Sequence, residues 1–208
     1  MIHLGAAREV AAWRIELEDA PVNTPEARAA LEQLLERDER NATLLARLGS
    51  VYRTIDPARS LEYFRRAVEV EPSNIDHATG YAAALVQARR FEPAATILRR
   101  IIAAAPENYT AHANLATALD ELKRYREALA EYSWIREQRP DLAVTNFFIA
   151  RAHDMLGEYK EALAAYETFL AQADAQMNGL EIEKVKLRLP SLRKQAARGD
   201  GSKGRKNR

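Results

Sequence analysis

The chain predicts an all-α fold built as a stack of two-helix layers, and three observations carry that reading. First, one pattern recurs at a constant step of 34 residues. Arg90-Phe91-Glu92-Pro93-Ala94, Arg124-Tyr125-Arg126-Glu127-Ala128 and Glu158-Tyr159-Lys160-Glu161-Ala162 match in phase. The step holds again for Leu98, Tyr132 and Tyr166, and for Pro72, Pro106 and Pro140. A fixed step with matching residue types is the signature of stacked units. Second, Ala, Leu, Glu and Arg dominate the 208 residues, with only eight glycines and eight prolines to interrupt helices. Third, within each segment the apolar residues recur three or four places apart, the spacing of one helical face.

Taking the prolines as punctuation gives four helix pairs, 42–74, 75–108, 109–142 and 143–176. The first carries Leu45, Leu48, Gly49 and Tyr52, then Leu61, Phe64 and Val68 before Pro72. Its turn, Ile55-Asp56-Pro57, is one residue shorter than the later ones. The second carries Tyr81, Ala82 and Leu85, then Phe91, Ala94, Leu98 and Ile101. The third carries Leu115, Ala116 and Leu119, then Tyr125, Ala128, Tyr132 and Ile135. The fourth carries Ile149, Ala150 and His153, then Tyr159, Ala162, Tyr166 and Phe169.

Small residues form columns, Gly49-Ala82-Ala116-Ala150 and Ala94-Ala128-Ala162. A side chain no larger than a methyl lets paired helices approach closely. Proline closes each second helix because it lacks the backbone donor and restricts the residue before it. Gly157 suits a left-handed stop between the last two helices.

Residues 1–41 read as a degenerate N-terminal repeat or cap. Met1 to Asp19 is helical in composition but fits the period poorly. Thr24-Pro25-Glu26 is a helix start, with a capping hydroxyl, a first-turn proline and an acid at the positive end. A helix over 24–38 then buries Leu31, Leu34 and Leu35. After the fourth pair, 177–195 is a capping region. Ile182, Val185 and Leu189 fit a helix, while Val185, Leu187 and Leu189 alternate as in a strand. An exposed end needs its apolar face covered, which favours a capping helix, expected to break at Pro190. Residues 196–208 are basic and without apolar period, and are expected to be disordered.

Net charge is +1, but unevenly placed. Residues 181–208 hold ten Lys or Arg against three Asp or Glu, a surplus of +7, so the rest stands at −6. Cysteine is absent, which excludes disulfides and thiolate metal sites. The start Met1-Ile2-His3-Leu4-Gly5 lacks the layout of a secretory signal, and no stretch approaches the ~20 apolar residues of a spanning helix. A cytoplasmic location is the expectation.

The chemistry of catalysis is missing from the pattern. His3, His77, His112 and His153 stand in no ligand spacing and no HExxH context, so neither a metal nor a cofactor is expected. His153 and Asp154 are adjacent and point to different sides of a helix, which excludes a dyad. Gly199-Asp200-Gly201-Ser202 opens no helix and is no phosphate loop. Arg65-Arg66, Arg89-Arg90 and Arg99-Arg100 read as a solvated outer face with acidic partners such as Glu62 and Glu69.

These residues resemble the tetratricopeptide repeat. Its 34-residue unit has a large residue, Leu-Gly and Tyr in the first helix, Ala, an aromatic and Ala in the second, and a closing proline. Leu45, Leu48-Gly49, Tyr52, Phe64, Ala67 and Pro72 match. So do Leu115-Ala116, Leu119, Ala128, Tyr132 and Pro140, and Ile149-Ala150, Gly157, Ala162 and Tyr166. The match covers about residues 42–174, with a weaker one from 8 to 41. Polar His112 and Asn146 depart from it where a large apolar residue is usual, and Asp174 replaces the closing proline.

The resemblance implies a right-handed superhelix, non-catalytic, binding a segment of another protein in a concave groove lined by the first helices. The groove residues would be Arg47, Ser50, Arg53, Thr79, Ala83 and Gln87, then Asn114, Thr117 and Glu121, then Phe147, Phe148, Arg151, Asp154 and Met155. Phe147, Phe148 and Met155 cannot all be buried beside Arg151 and Asp154, so at least one is expected to stand exposed as an anchor. One branch of the family grips chaperone C-termini through a clamp of Lys, Asn and Arg. Only Asn114 matches here, with Thr79, Val144, Phe148 and Ala83 at the other places, so that ligand is not expected.

Two other partners remain on composition. Lys203, Arg205, Lys206 and Arg208 could attract nucleic acid or an anionic membrane surface without sequence preference. A weak homo-oligomer could form through end faces near Trp13, or near Leu187 or Leu192.

Overall fold

The computed structural model describes residues 24–199. The expected N-terminal helix over 1–19, Trp13 and the basic residues beyond 200 lie outside them. Ten helices and no strand occur among the described residues. The chain divides into two compact units, residues 1–88 and 89–208. The division falls inside the second expected pair, so its two helices are described separately.

Unit one holds α1 (Pro25–Arg37), α2 (Ala42–Tyr52), α3 (Pro57–Val70) and α4 (Ile75–Gln87). Each starts on a side-chain oxygen that accepts an otherwise orphaned backbone N–H. Thr24 accepts from Ala27, Asn41 from Leu44, Asp56 from Ala58 and Arg59, and Asn74 from Asp76 and His77. Leu31, Leu35, Leu45, Leu48, Val51, Tyr52 and Ala67 form the core. The small column has a direct cause: a Cβ on Gly49 would stand 2.7 Å from Phe64 Cδ2, so α2 and α3 approach only over a bare backbone. Gly80 of α4 receives the same ring still more closely. Ser60 Oγ donates to the Gly49 carbonyl at 2.6 Å and locks that approach. Tyr52 Oη donates to Glu32 Oε1 at 2.7 Å, and Arg59 joins both, tying α1 to α2 and α3.

Unit two holds α5 (Phe91–Ala104), α6 (Tyr109–Glu121), α7 (Tyr125–Gln138), α8 (Ala143–Leu156), α9 (Tyr159–Gln172) and α10 (Ala175–Arg198). Here α5, α7 and α9 begin without a side-chain cap. One residue before each N-cap the backbone turns left-handed, at Arg89 (φ 58°), Lys123 (φ 60°) and Gly157 (φ 76°). The same 34-residue step therefore governs the turns. Only the third was legible, because only there is glycine used.

The core under α8, α9 and α10 is Phe147, Ala150, Ala162, Tyr166, Phe169, Val185, Leu189 and Leu192. His112 replaces an apolar residue at no cost in satisfied polarity: its ring stacks on Trp134 at 3.7 Å, with Glu131 and the Pro106 carbonyl on its two nitrogens. Asn146 likewise donates to Gln172 at 2.9 Å.

The expected break at Pro190 does not occur, since α10 continues through it to Arg198 and ends on left-handed Gly199. Proline in a helix interior costs about 3 kcal/mol. Val185, Leu189, Leu192 and Ala196 keep one buried face across that point, and Pro190 itself is exposed. Burial on both sides outweighs the lost hydrogen bond. For the same reason residues 196–198 are helical, against the disorder expected of them. The interruption sits instead at Asn178 (φ −120°).

Candidate partner-binding face

The first helices carry the residues expected to line a groove, and the two units use them differently. In unit one, Thr79 is buried and donates to the Ile75 carbonyl at 2.7 Å. That removes it from any open face. Gln87 is exposed but donates to the Arg53 carbonyl at 2.7 Å, and the Arg53 guanidinium lies 5.8 Å from the Phe64 ring. Ser50 is exposed, and Arg47 and Ala83 are half-buried.

In unit two, α6 presents Asn114, Thr117 and Glu121. Thr117 donates back to the Ala113 carbonyl at 3.0 Å, Asn114 to Thr110 at 2.8 Å, and Glu121 meets Arg89 at 3.4 Å. All three bonds are local or exposed, and such bonds exchange readily with those of a guest. From α8, Met155 stands 53 % exposed. Phe148 is half-buried, stacked on Tyr132 with ring centres 5.4 Å apart and 10° between planes, and Arg151 covers it at 5.7 Å.

Phe147 corrects the expectation. It is buried between Tyr166 and Phe169, at 6.0 and 5.6 Å, and belongs to the core. The helical phase puts it one residue from Phe148, hence about 100° round the helix, so the two cannot share a face. Asp154 is also occupied, since Arg188 of α10 holds both its oxygens at 2.7 Å. The face thus narrows to Asn114, Thr117, Glu121, Phe148, Arg151 and Met155.

Beneath it lies a pair that sequence reading missed. Arg151 Nη2 is in contact with Asp120 Oδ2, and the Asp120 side chain is only 4 % exposed. Asp120 Oδ1 and Arg151 Nε are buried without a hydrogen-bond partner. Burial lowers the Arg151 pKa from its ordinary value, because removing water penalises the cation. The separation is 31 residues, one repeat less one helical turn, and a search for opposite charges at that offset would have found it. A cleft of about 240 Å³ opens beside the pair, lined by Asp120, Glu121, Lys123, Tyr125, Arg151 and Met155.

A second cleft of about 370 Å³ lies among α7, α8 and α9, lined in part by Arg136, Asn146, His153 and Gln172. His153 contacts Glu158 at 2.7 Å, not Asp154. Burial works against the Glu158 charge, but hydrogen bonds from His153 and Arg126 hold its pKa below the ordinary value. Among the described residues no group of three His, Cys, Asp or Glu is placed to hold a metal ion, and no helix is long and apolar enough to cross a membrane. The α6–α8 face presents hydrogen-bonding side chains, an exposed thioether and a charged pair.

Comparison with known proteins identifies the repeat. Two models described as tetratricopeptide repeat match, one at residues 56–119 and 86–146, the other at 23–75. Among solved structures, MamA MSR-1 is 28 % identical with a TM-score of 0.65, over 71 % of this chain and 85 % of that one. MamA AMB-1 is 27 % identical with a TM-score of 0.65, over 69 % and 86 %. MamA RS-1, at 16 % identity and a TM-score of 0.65 over 79 % and 89 %, shares the fold. No curated protein matches.

Proposed function

We propose that this chain, which belongs to the tetratricopeptide-repeat family, is a non-catalytic adaptor that holds a segment of a partner protein against the first-helix face of unit two. The observation that carries the reading is the state of that face. Thr117, Glu121 and Met155 are exposed on neighbouring first helices beside the Asp120–Arg151 pair. Exposed apolar and polar side chains over a cleft are the ordinary equipment of peptide recognition.

Met155 supplies the apolar contact, and its flexible thioether adapts to different side chains. Arg151 and Glu121 are placed to fix the direction of the guest, since each keeps donor or acceptor capacity beyond its internal partner. With no cation at Thr79, Val144 or Phe148 and no Asn at Ala83, a terminal carboxylate gains no charge-assisted clamp, and a peptide ending in Glu-Glu-Val-Asp is expected not to bind tightly.

The test is a titration. A partner segment obtained by affinity capture is measured against the intact chain and against Thr117→Arg with Met155→Arg. We expect on the order of tenfold weakening or more with an unchanged melting temperature, since both side chains are exposed. Equal affinity would remove this face from the account.

A further inference from the structure

Two parts of unit two lie outside the binding face. At its end Leu192, expected on an end face, is buried in the core. The other is the cleft of about 370 Å³ among α7, α8 and α9. From α8 it is lined by Asn146, Ile149 and His153, which lie within about 60° of one another round the helix. Phe148, Arg151 and Met155 lie on the opposite side of α8, so cleft and binding face are separate surfaces.

The cleft has a cause in the sequence. Asn146 stands where a large apolar residue is usual, and Ala164 and Ala165 line the α9 wall. Larger side chains at these places would fill the space. Asn146 Nδ2 donates to Gln172 Oε1 at 2.9 Å. Among the described residues the Asn146 carbonyl oxygen and the Gln172 amide nitrogen have no other partner. They leave an acceptor and a donor side by side, the pattern that a peptide backbone matches.

The two ends of the cleft differ in charge. Helices α8 and α9 run antiparallel, with Asn146 bonded to Gln172 at one end and His153 in contact with Glu158 at the other. Arg136, in the last turn of α7, lines the Asn146 end, because the short turn at 139–142 joins α7 to the start of α8. Glu161, in the first turn of α9, lines the His153 end. Neither makes an ion pair or hydrogen bond with another described residue. The charges around them cancel, Arg126 with Glu158 at 2.6 Å and Arg139 with Asp141 at 2.7 Å. Glu137 and Lys160, their sequence neighbours, are turned about 100° away and do not line the cleft.

We propose that this cleft is a second peptide site, taking an extended partner segment with an acidic side chain at the Arg136 end and a basic one at the Glu161 end. Asn146 and His153 stand about 10 Å apart along α8. An extended chain advances about 3.3 Å per residue, so four residues cover that distance and their long side chains reach the two charges. Arg136 forks onto the guest carboxylate, Glu161 accepts from the guest cation, and the Asn146–Gln172 amides meet its backbone. Exposed charge pairs contribute little each, so binding is weak, with a dissociation constant of about 0.1–1 mM. Its two fixed charges set the cleft apart from the α6–α8 face with its Met155 thioether, and the two surfaces select different segments.

Nuclear magnetic resonance of the full chain, titrated with acetylated and amidated tetrapeptides, tests this. Two carry opposite end charges, Glu-Val-Thr-Lys and Lys-Val-Thr-Glu. Two carry like charges, Glu-Val-Thr-Glu and Lys-Val-Thr-Lys. The expected result is that one opposite-charge peptide shifts the Asn146 and Gln172 side-chain amide signals at about 1 mM, and that the like-charge peptides bind at least about threefold more weakly. Arg136→Glu should transfer the preference to Lys-Val-Thr-Lys, and Glu161→Lys to Glu-Val-Thr-Glu. Both positions are exposed, so signals distant from the cleft should keep the pattern of the folded chain. No shift at about 5 mM peptide, equal binding of all four, or a preference unmoved by Arg136→Glu would each overturn the proposal. So would acetate alone reproducing the shifts, which would reduce the cleft to an anion contact.

Discussion

Unit one and unit two are built from the same helix pair, yet their first-helix faces hold their polar side chains differently. In unit one, of the polar side chains expected at the face, Thr79 is turned inward while Ser50 and Gln87 stay exposed. Thr79 is buried, Gln87 binds the Arg53 carbonyl, and Asn41, Asp56 and Asn74 are consumed as caps. In unit two the turns before α7 and α9 are made by left-handed residues instead of caps, and Thr117, Glu121 and Met155 stay available. The difference teaches that a repeat can conserve its packing columns while the hydrogen-bonding capacity of its face is spent or saved.

The largest effect that sharpens this contrast is Arg151→Ala in unit two. It strands the nearly buried Asp120 carboxylate and is expected to cost roughly 2–3 kcal/mol, less than a fully buried pair because Arg151 is itself partly exposed. Arg53→Ala in unit one, which loses a ring contact and no ion pair, should cost under about 1 kcal/mol. Urea unfolding of each variant gives the two values. Equal costs would erase the distinction.

The turns come next. Asp56→Ala removes two accepted backbone bonds and should cost about 1 kcal/mol. Gly157→Ala forces a side chain into the left-handed region and should cost a similar amount, about 1 kcal/mol. Lys123→Gly relieves that conformation and should stabilise by a few tenths of a kcal/mol. If Lys123→Gly instead destabilises in thermal unfolding, the turn is held by side-chain contacts and not by backbone geometry.

The smallest effect concerns acid. Glu32 in unit one is held below its ordinary 4.5, chiefly by the Tyr52 hydrogen bond and then by Arg59, against the penalty of burial. Glu158 in unit two is lowered by His153 and Arg126. A depressed carboxylate contributes stability that is present above its unfolded value and lost as pH falls through the folded one. Both units should therefore weaken below about pH 4.5. Glu158→Gln should flatten that slope without shifting stability above it in the direction of gain. A slope unchanged by Glu158→Gln would assign the acid sensitivity elsewhere.

Much of the architecture was legible because it rests on local rules. Thr24-Pro25 marks a helix start, and Pro72, Pro106 and Pro140 follow the second helices of successive layers, because those rules need only neighbours in sequence. The site was less legible. Phe147 and Phe148 are adjacent and chemically alike, so composition could not say which one the helical phase turns inward. Asp120 and Arg151 meet only through stacking of successive layers, at an offset that no single motif contains. Pro190 misled for the opposite reason, since a local signal was overruled by burial of Leu189 and Leu192 on either side of it.

The central claim is that the α6–α8 face holds the guest. A photo-reactive residue placed at Met155, with a control at exposed Thr168 of α9, tests it most directly in the presence of the captured segment. The account predicts that Met155 cross-links to the segment and Thr168 does not. Cross-linking at Thr168 with none at Met155 would contradict it.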